Sequence, residues 1–312
     1  MDISYSRPLS LAYRRMKKAL FQPFDISKWF RVGFTAWLAG LTDCQGGSGN
    51  SSNNFNQHDL SEFFNFPETA WNWIIEHPVW SNLIILGFVL LFIIITLIIW
   101  LSSRGKFMFL HNVANDTQDI SKPWHEYKKE GNSLFLFEFF YEWVVFAVFV
   151  LILVYSFLGA KELYFGDYTN IAIFWAVAKM ILFLILYFLT FGYISLFLKD
   201  FVVPIMYKHR MGVLQAWRRF SQLFFRRFLH FVFYGLFIFV LGIAVAIIVI
   251  FFALLTCCIG LFLLIIPVIG AILLLPISYT FRAFSIEFLA QFGAYYSVFD
   301  QEILPIIAES DE

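Results

Sequence analysis

Residues 229–254 contain no Asp, Glu, Lys or Arg and are built almost wholly from Leu, Ile, Val, Phe and Ala. An apolar run of more than about 18 residues is long enough to cross the hydrocarbon of a bilayer. In lipid the backbone must satisfy its own hydrogen bonds, so such a run is read as a helix. Comparable runs occur at 79–101, 134–158, 171–198 and 260–279. Composition agrees: the chain is 60% hydrophobic and 14% charged, with a mean hydropathy of +0.74, too apolar for a soluble domain. Its 42 phenylalanines exceed what core packing needs, and a lipid-facing surface accommodates them. Cys44, Cys257 and Cys258 provide no disulfide framework and read as apolar filler.

A sixth candidate span, 27–41, has an apolar part of only about 14 residues, short of the usual ~20. It can cross a thinned bilayer with Lys28 and Arg31 snorkelling to the surface, or lie half-buried in the interface. The basic residues favour crossing. With six spans, 20 of the 22 Lys and Arg fall on one side, and only Lys161 and Lys179 lie elsewhere. By the positive-inside rule that side is cytoplasmic, and both termini face it. Residues 1–26 have no apolar core or cleavage site of a signal sequence. Residues 42–78 contain no Lys or Arg and are placed outside. They begin as a polar loop holding a weak Asn50-Ser51-Ser52 glycosylation pattern. An interfacial helix follows at about 60–76, with Trp71, Trp73 and Trp80 suited to the headgroup belt. Residues 300–312 form an acidic cytoplasmic tail.

The cytoplasmic side carries a recurrent pattern. In 213–228, V-L-Q-A-W-R-R-F-S-Q-L-F-F-R-R-F, helical spacing puts Val213, Trp217, Phe220, Phe224 and Phe228 on one stripe, with Arg218, Arg219 and Arg226 opposite. Near the N-terminus, Leu9, Tyr13, Met16 and Leu20 form a similar stripe, with Arg14, Arg15 and Lys18 opposite. The pentapeptides A-Y-R-R-M (12–16) and A-W-R-R-F (216–220) match closely. A weaker copy has Ile120, Trp124 and Tyr127 followed by Lys128 and Lys129. The expected fold is therefore an all-α integral membrane protein of about six transmembrane helices arranged as three hairpins. Each hairpin is preceded by a cytoplasmic amphipathic interfacial helix, in repeats at 8–101, 119–198 and 212–282. The aromatic stripes are expected to face the bilayer. Tyr13, Trp124 and Trp217 would anchor the helices, while Arg14, Arg15, Lys18, Arg218, Arg219 and Arg226 meet anionic headgroups.

Two stretches carry a family resemblance. D-F-V-V-P-I-M-Y-K-H-R-M-G-V-L-Q-A-W-R-R-F (200–220) and F-D-I-S-K-W-F-R-V-G-F-T-A-W-L-A (24–39) resemble motifs of bacterial six-helix inner-membrane families. Those families are similar to the membrane domain found beside some glycerophosphodiester phosphodiesterases. The resemblance implies a bacterial inner-membrane location but no reaction, because the soluble catalytic barrel of those fusions has no counterpart here.

Motifs of chemistry are missing from the sequence: there is no phosphate-binding glycine loop, H-E-x-x-H, C-x-x-C or nucleophile elbow. No cofactor, metal or nucleic acid is expected, since the spans make lipid headgroups the nearer polyanion for the basic helices. His209 and Arg210 could touch a lipid phosphate, although a solvated loop histidine is the simpler reading. Glu138, Glu142 and Lys179 lie within spans, where ionisable groups are costly without a partner or a role. Arg282 and Glu287 read as a boundary anchor and a surface charge. The favoured function is a non-enzymatic scaffold, accessory subunit or lipid-organising module, partnered by anionic lipids and by other membrane proteins. The alternative is a transporter or channel subunit using Glu142 and Lys179. A lipid-modifying enzyme is the third class, with no residue constellation to support it.

Overall fold

The computed structural model describes residues 3–42, 57–166, 170–256, 260, 263–264 and 266–299. The polar stretch 43–56 with its glycosylation pattern, all three cysteines and the acidic tail lie outside the described residues. Those that are described form helices and turns without a strand. In order the helices are α1 (Ser6–Phe21), α2 (Ile26–Ala39), α3 (Gln57–Glu76), α4 (Pro78–Asn115), α5 (Ser121–Glu126) and α6 (Lys128–Phe165). Then come α7 (Asn170–Phe197), a π-helical segment (Leu198–Val202), α8 (Val203–His209), α9 (Val213–Arg226), α10 (Phe228–Leu255), α11 (Pro267–Leu273) and α12 (Leu275–Ala290).

Local chemistry sets many of these boundaries. The Asp25 carboxylate accepts the Ser27 amide at 2.8 Å and caps α2. Pro78 opens α4, where its missing N–H costs nothing. A proline disfavours helix at the residue before it, yet the helix continues past Pro204. Leu198–Val202 widens into a π turn, and Pro204 then falls in the first turn of α8, where no N–H partner is lost. Arg210 ends α8 in the left-handed conformation, at φ 53°.

Among the described residues, four helical stretches are long and apolar enough to cross a membrane: Pro78–Asn115, Lys128–Leu163, Ile171–His209 and Phe228–Leu255. A fifth is available if Pro267–Leu273 and Leu275–Ala290, bent by 65°, count as one broken span. The membrane class holds, whereas the sixth span at 27–41 does not stand on length. The 14 residues of α2 rise only about 21 Å at ~1.5 Å each, against ~30 Å of hydrocarbon. Val32, Thr35, Leu38 and Ala39 are buried on it, and α11 packs along it.

The described chain forms two compact units. The first comprises Met1–Thr42, Ile99–Glu138 and Tyr193–Glu312. Its core is aromatic: Phe201 stacks on Phe220 at 5.3 Å and meets Phe231 at 5.1 Å and Tyr234 at 4.8 Å. Burying each such ring stabilises by about 1.5–3 kcal/mol relative to exposure. Within this unit α1 packs along α12, and Gly105 of α4 lets the α2 backbone come close. A Cβ at Gly105 would sit 2.6 Å from the Leu38 carbonyl carbon.

The second unit comprises Asp43–Ile98 and Phe139–Gly192. Within it α6 and α7 run antiparallel. The Tyr141 hydroxyl donates to the Phe191 carbonyl at 2.6 Å, that of Tyr187 donates to Val145 at 3.2 Å, and Tyr155 meets Phe183 at 5.8 Å. Large apolar side chains along these helices and α4 point outward, which suits contact with lipid.

Candidate functional site

The basic helix α9 carries two different faces. Most of its inner stripe is turned into the protein, although Phe228 at its end is 50% exposed. Val213, Ala216 and Phe220 are buried in the protein core, with Trp217 and Phe224 packed against it. The Trp217 ring lies 6.1 Å from Phe137 and 5.8 Å from Phe220. Its indole N–H is buried and has no hydrogen-bond partner among the described residues. Turned outward are Arg218, Arg219 and Arg226. Two apolar residues accompany them: Leu214 is 73% exposed and Phe225 78%. The spacing Leu214, Arg218, Phe225 (i, i+4, i+11) places these three on one side of the helix. The surface that α9 offers outside the protein is thus a second, mixed apolar and cationic face.

In α1, unlike α9, the buried side is rotated from the expected stripe. Pro8, Ala12, Arg15, Met16, Ala19 and Leu20 are inside, while Tyr13 is 56% exposed beside exposed Arg14 and Lys18. The two matching pentapeptides share a buried alanine (Ala12, Ala216) and a buried fifth residue (Met16, Phe220). They diverge at the second arginine. Arg15, expected at a headgroup, is buried: its Nε donates to Glu287 Oε1 at 2.6 Å, and its guanidinium sits 3.8 Å over the Phe299 ring. Glu287 is accordingly an internal counter-ion rather than a surface charge. Arg219, the equivalent in α9, is exposed. Trp124, the anchor of the weakest copy, is half-buried and shares with Trp100 the guanidinium of Arg104, at 4.7 and 4.6 Å.

The first unit also contains a series of buried charges, most of which sequence reasoning placed at the surface. Lys106 Nζ donates to Glu138 Oε1 at 2.6 Å, and Ser103 Oγ donates to Oε2 at 2.7 Å. Lys106 reaches Thr42 Oγ1 as well, at 3.3 Å. The Tyr234 hydroxyl donates to Asp200 at 2.9 Å. Arg282, expected as a boundary anchor, is buried and donates to the Lys199 carbonyl at 2.7 Å. In Lys106–Glu138 and Arg15–Glu287 both members are within one hydrogen bond of an opposite charge. Such pairs fix helix positions, and neither aligns a nucleophile with a base.

The K-H-R run that follows Pro204 has a structural role too. Lys208 Nζ donates to the Ala294 carbonyl at 2.6 Å, and the His209 ring stacks on Tyr295 at 4.0 Å. Arg210 binds the Glu126 carboxylate and lies 3.8 Å over the Tyr127 ring. Tyr127 stacks in turn on Tyr207 at 4.7 Å. Burial pushes the Tyr127 hydroxyl pKa up, and the hydrogen bond with Tyr207 adds to the shift. The three consecutive residues therefore tie the loop after α12 and the end of α5 to the end of α8.

In the second unit the structure does not bring Glu142 and Lys179 together. Tyr141, beside Glu142, meets Phe191, whereas Lys179 lines a cavity with Ser156 and Gly159. Fourteen positions of α6 separate Glu142 from Ser156, roughly 21 Å along the axis at ~1.5 Å per residue. Trp71 and Trp73 are exposed on α3, the latter stacked on His77 at 4.9 Å.

No curated protein and no solved structure matches this chain. A family model does, over residues 6–299, taking in both units and the basic helices. The chain belongs to that family, DUF7544, a family of unknown function.

Proposed function

We propose that this is a non-enzymatic integral membrane protein that gathers anionic lipid at the cytoplasmic leaflet, as a scaffold or lipid-organising module. The outer face of α9 carries this reading. It presents Arg218, Arg219 and Arg226 with exposed Leu214 and Phe225, on a helix whose other face is anchored in the core. Apolar side chains that dip beneath headgroups, flanked by cations that meet them, are the chemistry of an interfacial helix. Exposed Tyr13, Arg14 and Lys18 of α1 extend the same chemistry. The basic residues gathered between 199 and 227 favour a cytoplasmic position for this face under the positive-inside rule. The resemblance to inner-membrane families drawn from 24–39 and 200–220 supports a bacterial inner membrane and adds no reaction.

Each basic residue near an anionic surface contributes on the order of 1 kcal/mol, within a Debye length of about 8 Å at physiological salt. Replacing Arg218, Arg219 and Arg226 together by Gln is expected to strip co-purifying anionic lipid, read by mass spectrometry of protein extracted in mild detergent. Arg15 is left intact because its loss would strand Glu287. If the triple variant retains anionic lipid at the parent's level, the arginines serve a protein partner and the lipid reading falls.

A further inference from the structure

The second unit holds a cavity of about 600 Å³ bounded by α6, α7 and Phe64 of α3. That volume lies inside the ~300–1,000 Å³ range of sites that enclose small ligands. Tyr155, Trp175, Ile173 and Met180 give it apolar walls. Its polar groups are few and distinct. Lys179 is the only charged residue of α7, and it forms no ion pair or hydrogen bond among the described residues. Ser156, on α6, has a buried hydroxyl oxygen with no hydrogen-bond partner among them. A helical serine in an apolar setting ordinarily satisfies itself on the carbonyl one turn back, as Thr96 does on Phe92. Glu162 also lines the cavity and has a partner of its own.

A cation and a hydroxyl, both unpartnered among the described residues, on a cavity whose remaining lining apart from Glu162 is rings, aliphatic chains and glycine call for one anionic acceptor attached to an apolar body. The neighbouring Glu162 carboxylate disfavours a doubly charged head such as a phosphate monoester, and a singly charged carboxylate fits better. We propose that this cavity binds a long-chain carboxylate, with its head between Lys179 and Ser156 and its chain against Tyr155, Trp175 and Met180. The inference is independent of the lipid face on α9, which belongs to the other unit.

The test uses the full chain in nanodiscs of zwitterionic lipid, with empty nanodiscs as the partition control. The probe is cis-parinaric acid, a fluorescent single-chain carboxylate that accepts excitation energy from tryptophan. Its methyl ester serves as the uncharged match. The acid is expected to bind saturably, with quenching of tryptophan emission, and about tenfold more tightly than the ester. Lys179→Gln should remove that preference while leaving ester binding in place. Gly159 lines the cavity, and a Cβ there meets nothing within 4 Å. Gly159→Phe should therefore fill the space and abolish saturable binding of both probes, whereas Gly159→Ala keeps it. Absence of saturable binding to the parent protein overturns the proposal. So does an acid-to-ester ratio unchanged in Lys179→Gln, or binding that survives Gly159→Phe.

Discussion

Removing one member of the Lys106–Glu138 pair should destabilise the protein far more than removing an exposed ion pair of similar geometry. Lys106 Nζ and Glu138 Oε1 are 2.6 Å apart, with both side chains 6% exposed. At an effective dielectric constant of about 20, two unit charges at that distance attract by roughly 6 kcal/mol. Most of this offsets the cost of taking both ions out of water, so the intact pair contributes little net stability. In Lys106→Met the attraction vanishes, but the carboxylate stays buried with only the Ser103 hydroxyl donating to it. The expected loss is about 3–5 kcal/mol. Lys106→Met combined with Glu138→Leu removes the stranded charge and should recover most of it. The contrast is Lys28–Asp116, at 2.9 Å but with Asp116 52% exposed. There Lys28→Gln should cost less than about 1 kcal/mol. Thermal unfolding in mild detergent, followed by tryptophan fluorescence, reads the parent, Lys106→Met, Glu138→Leu, their double and Lys28→Gln. A loss of about 3 kcal/mol corresponds to a midpoint shift of roughly 6–12 °C. Equal shifts for Lys106→Met and Lys28→Gln would refute the reasoning, and so would a double variant whose loss is the sum of its singles.

Two glycines should respond oppositely to alanine. Gly105→Ala drives a Cβ into the Leu38 and Ala39 backbone and should cost about 1–3 kcal/mol. Gly87→Ala meets nothing within 4 Å and should stabilise α4 by about 0.5–1 kcal/mol; thermal midpoints check both. Tyr127 supplies a pH dependence, since its folded-state pKa is raised above the ordinary value of about 10. The folded chain then holds a proton that the unfolded chain releases. This stabilisation is present below about pH 10 and declines as pH rises above it. Tyr127→Phe should flatten that alkaline decline in a series of midpoints taken between neutral and alkaline pH.

The sequence by itself determined the class. Long runs without charge, such as 229–254, can only be hidden in lipid, and that constraint needs no knowledge of neighbours. Helical periodicity likewise marked α1 and α9 as two-faced helices. What α9's apolar stripe faces was not in the pattern, because a stripe of Trp and Phe packs equally well on lipid tails and on a core of Phe197, Phe201 and Phe231. The outward pair Leu214 and Phe225 leaves little trace in the pattern, since each breaks the polar side by only one residue. The fate of each charge was decided only by tertiary structure. Arg15 and Arg219 occupy matching positions in near-identical pentapeptides, yet one is buried against Glu287, 272 residues away, and the other is exposed. A counter-ion from a distant helix leaves no local signal, so charges inside and outside this protein read alike until the chain is folded. The same holds for Pro204. Its effect depended on whether the preceding turn could widen, and the π segment at Leu198–Val202 let the helix run on.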